Sequence, residues 1–186
     1  MADKSFGDGL VFEDTLPVGW TTGPLIEGSE LARLNADNHQ LLGAVYSLEE
    51  TRVHEALKDE SPALMLELQR LEFKLNILLR LTAEISIRHS ALPAPQKVRL
   101  TSRGLEWLGS SAPAVGTTGL LQLYINPAVP QPLKLSCTVA SERQVDAQRV
   151  AQLRFNGVSE LVVELIDKFI FRHHRRLIAG SRHAPN

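Results

Sequence analysis

The sequence predicts an α+β fold made of a small β-domain, a long inserted pair of helices and a C-terminal helix. Apolar residues recur at three- and four-residue spacing through residues 29–91, as they do in amphipathic helices. Alternating apolar residues, broken by glycine and proline, fill most of residues 96–156 and indicate strands. A second helical pattern runs from Ser159 to about residue 179. The 186 residues, 44% hydrophobic and 22% charged, suit one soluble domain that carries an insertion.

Residues 10–20, LVFEDTLPVGW, are predicted to form the first strand and to enter a turn at Pro17. Ser29 then caps a first long helix. The apolar seam of this helix follows heptad spacing and consists of Leu31, Leu34, Asn38, Leu41, Val45 and Leu48. Asn38 has two interpretations: it fixes the register of a coiled coil, or it is a polar residue at the solvent-facing end of a helix hairpin.

The second helix, predicted over residues 61–91, has apolar residues on two opposite faces. Ser61 and Pro62 form its start signal, and Pro93 and Pro95 end it. At 1.5 Å per residue it is a rod of roughly 40 Å. Its seam consists of Leu64, Leu68, Leu71, Leu75, Leu78 and Ile85, and the opposite side carries Leu66, Phe73, Ile77 and Ile87.

A short charged connection, Lys58 to Glu60, predicts that the two helices form an antiparallel hairpin over residues 29–91. One face of the second helix then remains in water. Burying a Leu-sized side chain contributes about 1.5–3 kcal/mol, so four to six exposed ones forfeit on the order of 10 kcal/mol. The β-domain is too small to cover the rod, so we expect homo-oligomerisation through the hairpin, as a tetramer built as a dimer of dimers.

The residues after Pro95 predict strands at 97–108, interrupted by Gly104, and at 119–126, 133–142 and 146–156. A turn at Asn156 and Gly157 then leads to Ser159, which is predicted to cap the last helix.

Two segments carry a family resemblance. The stretch QLRFNGVSELVVELIDKFIFRHHRRLIAG resembles the end of a PilZ domain, and VRLTSRGLEWL resembles that family's second motif. Arg99, Thr101 and Gly104 stand where the motif has an acidic residue or Asn, then Ser, then Gly. The resemblance covers residues 96–179, with 10–20 as the first strand, and the hairpin is similar to that of members that oligomerise through inserted helices. It implies a six-stranded β-barrel and a role in cyclic di-GMP signalling, type IV pilus function or motility.

The resemblance also implies a ligand site, from which this sequence departs. Typical members hold cyclic di-GMP with an Arg-x-x-x-Arg segment before the first strand and with the second motif. Residues 1–9 contain Lys4 but no arginine, and Arg99 replaces the acceptor for guanine. Two lost charge-assisted contacts at about 1.5–3 kcal/mol each weaken affinity by about 10²–10⁴-fold. We therefore expect no bound cofactor. The alternative is a weakened cyclic di-GMP sensor using Arg99, Thr101, Ser102, Arg103 and Gly104.

Other functional classes find little support. The net charge of −1 gives no general attraction to nucleic acid, and no stretch has the composition of a membrane helix or a signal peptide. The single cysteine, Cys137, excludes an intrachain disulfide, and we expect a cytoplasmic protein. No metal-ligand spacing occurs. An enzyme would have to use Cys137 or His173, so the prediction is a non-enzymatic scaffold.

The run from Arg172 to Arg176 is the only dense cluster of basic residues. It has two interpretations: it binds an anion or an acidic partner, or its charges complement the dipole at the C-terminal end of the helix.

Overall fold

The computed structural model describes residues 10–49, 62–89 and 92–181. Six antiparallel strands form a closed barrel in the order β1-β2-β3-β6-β5-β4, and three helices accompany it. The α+β prediction and the six-stranded barrel implied by the resemblance are confirmed. The elements in chain order are β1 (Phe12–Thr22), α1 (Gly28–Glu49), α2 (Pro62–His89), β2 (Pro95–Thr101), β3 (Gly104–Leu108), β4 (Thr118–Leu123), β5 (Leu133–Val145), β6 (Gln148–Phe155) and α3 (Glu160–Ser181).

Strand β1 closes the barrel by changing partners at Pro17. Up to and including Pro17 it pairs with β2, and from Val18 onward it pairs with β4. Proline has no amide hydrogen to donate, so it fits the position where the strand leaves one ladder and joins another. The Pro17 carbonyl still accepts a hydrogen bond from the Tyr124 amide, at 3.2 Å. The turn predicted at Pro17 is therefore a change of partner within one continuous strand.

The barrel interior is filled by the inward-facing residues of all six strands. Leu100, Leu121 and Leu153 are among the side chains with almost no exposed surface. Each contributes about 1.5–3 kcal/mol by leaving water. The strands also carry Cys137, which is buried, as its alternation with Leu135 and Val139 predicts.

Helix α3 covers one end of the barrel. Its start is capped as predicted, because the Val162 amide donates to the Ser159 hydroxyl at 3.4 Å. Phe169 and His173 both lie against Phe12 of β1, with ring centroids 5.1 and 4.5 Å from the Phe12 ring. The helix thereby ties the C-terminal end of the chain to its first strand.

Helix α1 packs against α3 and β5 rather than against α2. Two asparagines attach it through paired hydrogen bonds to backbone groups. Asn38 donates to the Lys134 carbonyl at 2.6 Å and accepts from the Lys134 amide at 3.0 Å. Asn35 donates to the Gly157 carbonyl at 2.9 Å and accepts from the Ser159 amide at 3.0 Å. Asn38 thus takes the place of a neighbouring strand's peptide group beside β5, and Asn35 does the same for the backbone of the turn that precedes α3.

These contacts correct the sequence-based prediction of a directly packed hairpin. Asn38, Leu41 and Val45 are buried by the chain's own barrel and α3, so they are not available as an oligomer seam. Asn38 neither sets a coiled-coil register nor lies at a wet helix end. Of the other seam residues, Leu34 is half-buried and Leu48 is exposed. Heptad spacing identifies an apolar face but not the surface that covers it.

The turn between β5 and β6 holds two non-glycine residues, Asp146 and Ala147, at φ values of 47° and 64°. They form a two-residue loop between Val145 and Gln148, as in a type I′ hairpin. Left-handed backbone costs an L-residue about 1–2 kcal/mol, and glycine avoids this cost.

We predict that Ala147→Gly raises the free energy of unfolding by about 0.5–1 kcal/mol, since it removes a Cβ from a left-handed position. The urea midpoint at fixed protein concentration measures the change. The matched control is Ala32→Gly at an exposed position of α1, which should lose up to about 1 kcal/mol. A fall in the midpoint for both variants would contradict the prediction.

We predict that Asn38→Leu lowers the free energy of unfolding by about 1–3 kcal/mol, because the Lys134 amide and carbonyl lose their partners. A coiled-coil interface would respond in the opposite way, since leucine there strengthens association. His39→Leu, at the next and exposed position, serves as control and should change stability by less than about 0.5 kcal/mol. Denaturant unfolding checks both, and a stabilised Asn38→Leu variant would refute the assigned role.

Candidate functional site

Helix α2 exposes apolar side chains on opposite sides. On the predicted seam, Leu71 is 54% exposed and Leu75 is 58% exposed. On the reverse side, Phe73 is 66% exposed. The other large apolar side chains exposed on this helix are Leu64, Leu66, Leu78, Leu79, Leu81 and Ile85, while Leu68 is half-buried. Single exposed apolar residues are normal on a protein surface, but a helix that exposes large apolar side chains along its length has the character of an interaction surface.

A cleft of about 750 Å³ separates α2 from α1 and the barrel. Leu79 and Thr82 form its α2 wall, and Leu41, Ala44 and Leu48 lie on the α1 wall. The third wall is the β4–β5 loop, residues 128–132, which contains Val129, Pro130 and Pro132. The helices predicted to touch thus face each other across an open space.

The segment predicted to be a weak ligand site lies in the β2–β3 hairpin, and its first residue is held by a buried carboxylate. Arg99 donates from Nη1 to Glu106 Oε2 at 3.0 Å. Arg143, at the far end of β5, donates from Nη2 to Glu106 Oε1 at 2.6 Å. The Glu106 side chain is only 3% exposed. A buried carboxylate needs such partners, and breaking such a pair costs about 3–5 kcal/mol.

This network extends across neighbouring strands. Glu13 of β1 stands opposite Arg99 and forms an ion pair with Lys97 at 2.9 Å. A second Glu13 oxygen lies 3.7 Å from Arg99 Nε. We call the set Glu13, Lys97, Arg99, Glu106 and Arg143 the carboxylate network. Arg99 is therefore occupied by two carboxylates of its own chain.

The remaining predicted site residues form the hairpin turn. Thr101 Oγ1 donates to the Gly104 carbonyl at 3.1 Å, and Ser102 and Arg103 complete the turn. The Arg103 carbonyl accepts from the Phe155 amide at 3.0 Å. The Arg103 guanidinium lies 3.9 Å from the Glu160 carboxylate. Both side chains are mostly exposed, so this ion pair contributes little to stability. The five residues are neighbours in sequence, but Arg99 is engaged below the turn while Arg103 extends toward α3.

The two residues that an enzyme would use are in structural roles. Burial raises the pKa of the Cys137 thiol, which keeps it in the unreactive protonated form. His173 packs its ring against the edge of Phe12. Among the residues that the structure describes, no three His, Cys, Asp or Glu side chains are placed to share a metal ion. None of the described helices combines the length and the apolar content that a membrane span requires.

The basic run lies inside α3 rather than at its end, because the helix continues to Ser181 and its last turn holds no basic residue. The Arg172 guanidinium lies over the Tyr46 ring of α1 at 4.8 Å, and Arg175 lies over Phe171 at 5.9 Å. Arg172 and His173 thus connect α3 to α1 and to β1. The run is therefore used in packing, and the interpretation that it complements the dipole at the helix C-terminus is wrong, since that effect is confined to the last turn.

Sequence reasoning did not identify Glu106, Arg143 or Asn35. A signal for Glu106 was present, because Arg99 and Glu106 are equally distant from the Ser102–Arg103 turn and must therefore pair across the hairpin. Arg143 gave no comparable signal, since its contact depends on how far the β5–β6 hairpin extends. Asn35 follows Leu34 directly and lies outside the heptad seam, so the apolar spacing gave no signal for it.

Comparison with known proteins agrees with this architecture. The family profile described as atypical PilZ domain, cyclic di-GMP receptor, matches residues 42–183. A solved structure from Xanthomonas campestris, described as a new tetrameric PilZ domain self-assembled via an unusual helical bundle, is 28% identical with a TM-score of 0.70. The alignment covers 94% of this chain and 90% of that one. No curated protein matches the chain. The predicted family is confirmed: the chain belongs to the atypical PilZ domain family of cyclic di-GMP receptors.

Proposed function

We propose that this protein is a non-enzymatic PilZ scaffold that assembles through α2 into a homotetramer and presents its barrels to protein partners. The observation that carries the proposal is the exposed apolar surface on both sides of α2. The tetrameric Xanthomonas neighbour, which self-assembles via a helical bundle, supports it. We place the protein in the cytoplasm, in cyclic di-GMP signalling or in type IV pilus and motility regulation.

The energetics favour assembly over a solitary chain. Burying the half-exposed seam of α2 would stabilise the assembly by about 1 kcal/mol or more for each of its six side chains. A helix with apolar residues on two sides needs two neighbours, and a bundle of four such helices provides them. Because Asn38, Leu41 and Val45 already bind the barrel, the seam of this assembly is reduced to the α2 residues Leu64, Leu68, Leu71, Leu75, Leu78 and Ile85.

We further propose that the usual cyclic di-GMP site is not used in this protein. The carboxylate network supports this. To bind a phosphate, Arg99 would have to leave Glu106, whose carboxylate would then lose one of its two guanidinium partners. In typical members the residue at the position of Arg99 accepts a hydrogen bond from guanine, whereas Arg99 is a cation and can only donate.

A receptor role is the second candidate function. The family description favours it, and Arg103 is exposed at the turn beside Thr101 and Gly104. This arrangement offers the guanidinium of Arg103 alone, whereas the two phosphates of cyclic di-GMP are best held by two guanidinium groups.

We predict that Leu75→Lys dissociates the tetramer, raising its dissociation constant at least about 100-fold, because a cation is placed in the apolar seam. Light scattering should show a mass that falls from four 20.6 kDa chains to one or two. The matched control is Asn76→Lys, which adds the same charge at the next exposed residue outside the seam and should stay tetrameric. A sharp monomer mass for the unmodified protein would end the proposal.

We predict that isothermal titration with cyclic di-GMP gives no binding heat at ligand concentrations of several hundred micromolar, corresponding to a dissociation constant near 1 mM or weaker, about −4 kcal/mol. Saturable heat that disappears in Arg103→Ala but persists in Arg33→Ala, an exposed arginine on α1, would support the receptor role instead.

A further inference from the structure

The cleft between α1 and α2 continues the apolar seam of α2. Leu75, Leu78, Leu79 and Thr82 are spaced three and four residues apart and therefore share one helix face. Leu79 and Thr82 of that face line the cleft, as do the exposed residues Ala44 and Leu48 of α1. Whatever covers the seam between residues 75 and 82 must therefore occupy the cleft.

The other two walls belong to the barrel domain and are fixed to it. Asn38 attaches α1 to the start of β5, and the side chain of Val45, also on α1, is buried. Within the β4–β5 loop, the amides of Ala128 and Val129 donate to Asn126 and close a tight turn. The cleft therefore lies between the barrel domain and α2.

From these observations we infer that the cleft is the seat for α2 of a second copy, so that the partner's helix touches both the seam and the barrel domain. The inference rests on the proposed assembly and adds the surface that fixes the barrels to the bundle.

A second copy fits the cleft better than a small apolar molecule does. A molecule confined to about 750 Å³ leaves Leu71 and Ile85, on either side of the cleft, in water. A helix of the same length as α2 covers them together with the cleft. The rim carries Asp37, Gln40 and Lys134 around an apolar floor, as in interfaces with a polar border.

Ala44 provides the test, because it is small, exposed and part of the α1 wall. Ala44→Trp places an indole where the partner helix would lie, and the open cleft of a single chain has room for it. We expect its tetramer dissociation constant to rise at least tenfold by light scattering over a dilution series. Ala32→Trp, the same change at an exposed α1 residue away from the cleft, should not alter it. Unfolding of dilute samples verifies that both variants fold.

A thiol at the same position reports the occupant directly. Cys137 is buried, so an introduced cysteine is the reactive one in each variant. In Ala44→Cys, alkylation should be at least tenfold slower in the tetramer than after dissociation by Leu75→Lys, whereas Ala32→Cys should react equally in both.

The outcomes separate this inference from the proposed assembly. Should Leu75→Lys dissociate the protein while Ala44→Trp stays tetrameric and Ala44→Cys reacts freely, the bundle stands and the cleft assignment is wrong. Slow alkylation of Ala44→Cys in the dissociated protein would indicate a small bound molecule or a closed cleft, and would also overturn it. A monomeric unmodified protein would remove both proposals.

Discussion

Paired hydrogen bonds from Asn35 and Asn38 hold α1 against the barrel domain and the turn that leads into α3. Without Asn38, the backbone at Lys134 would lack two partners at the start of β5. Without Asn35, the turn that precedes α3 would lose a donor and an acceptor. Because α1 is committed to the barrel, it cannot also cover α2. The exposed surface of α2 is therefore a consequence of polar contacts elsewhere in the chain.

The carboxylate network plays a comparable role on the β2–β3 hairpin. In place of an acceptor for a guanine, this hairpin presents an arginine that is bound to a buried glutamate. The three cations and two carboxylates of the network pair with one another, so most of its charge is neutralised within the protein. The family fold is retained here while the residues that would define its usual ligand are used for internal pairing, which agrees with the principle that function depends on sites and not on folds.

Periodicity predicted much of the fold. The bounds of α2 and the cap of α3 follow from proline and serine signals that act within a few residues. The strand alternation and the buried Cys137 follow from the pleat of a half-buried strand. The partner of α1 could not be predicted, because a heptad pattern is equally compatible with a helix and with a sheet as its neighbour. For the same reason the pattern placed Asn38 in an oligomer seam, although its partners are backbone atoms 96 residues away in sequence. The contact between Arg143 and Glu106 depends on the register of several strands at once, so no pattern of neighbouring residues in the sequence predicts it.

The change of partner at Pro17 has a consequence for how the chain acquires its structure. Both halves of β1 pair with strands that come after α1 and α2, from Pro95 onward. The first strand to be synthesised must therefore wait for most of the chain before it can be hydrogen-bonded. Loop-closure entropy grows slowly with length, so the inserted helices reduce final stability only modestly, but such distant pairing is slow. Local helices form orders of magnitude faster than strands this far apart in sequence can meet. Barrel closure is thus a late folding event.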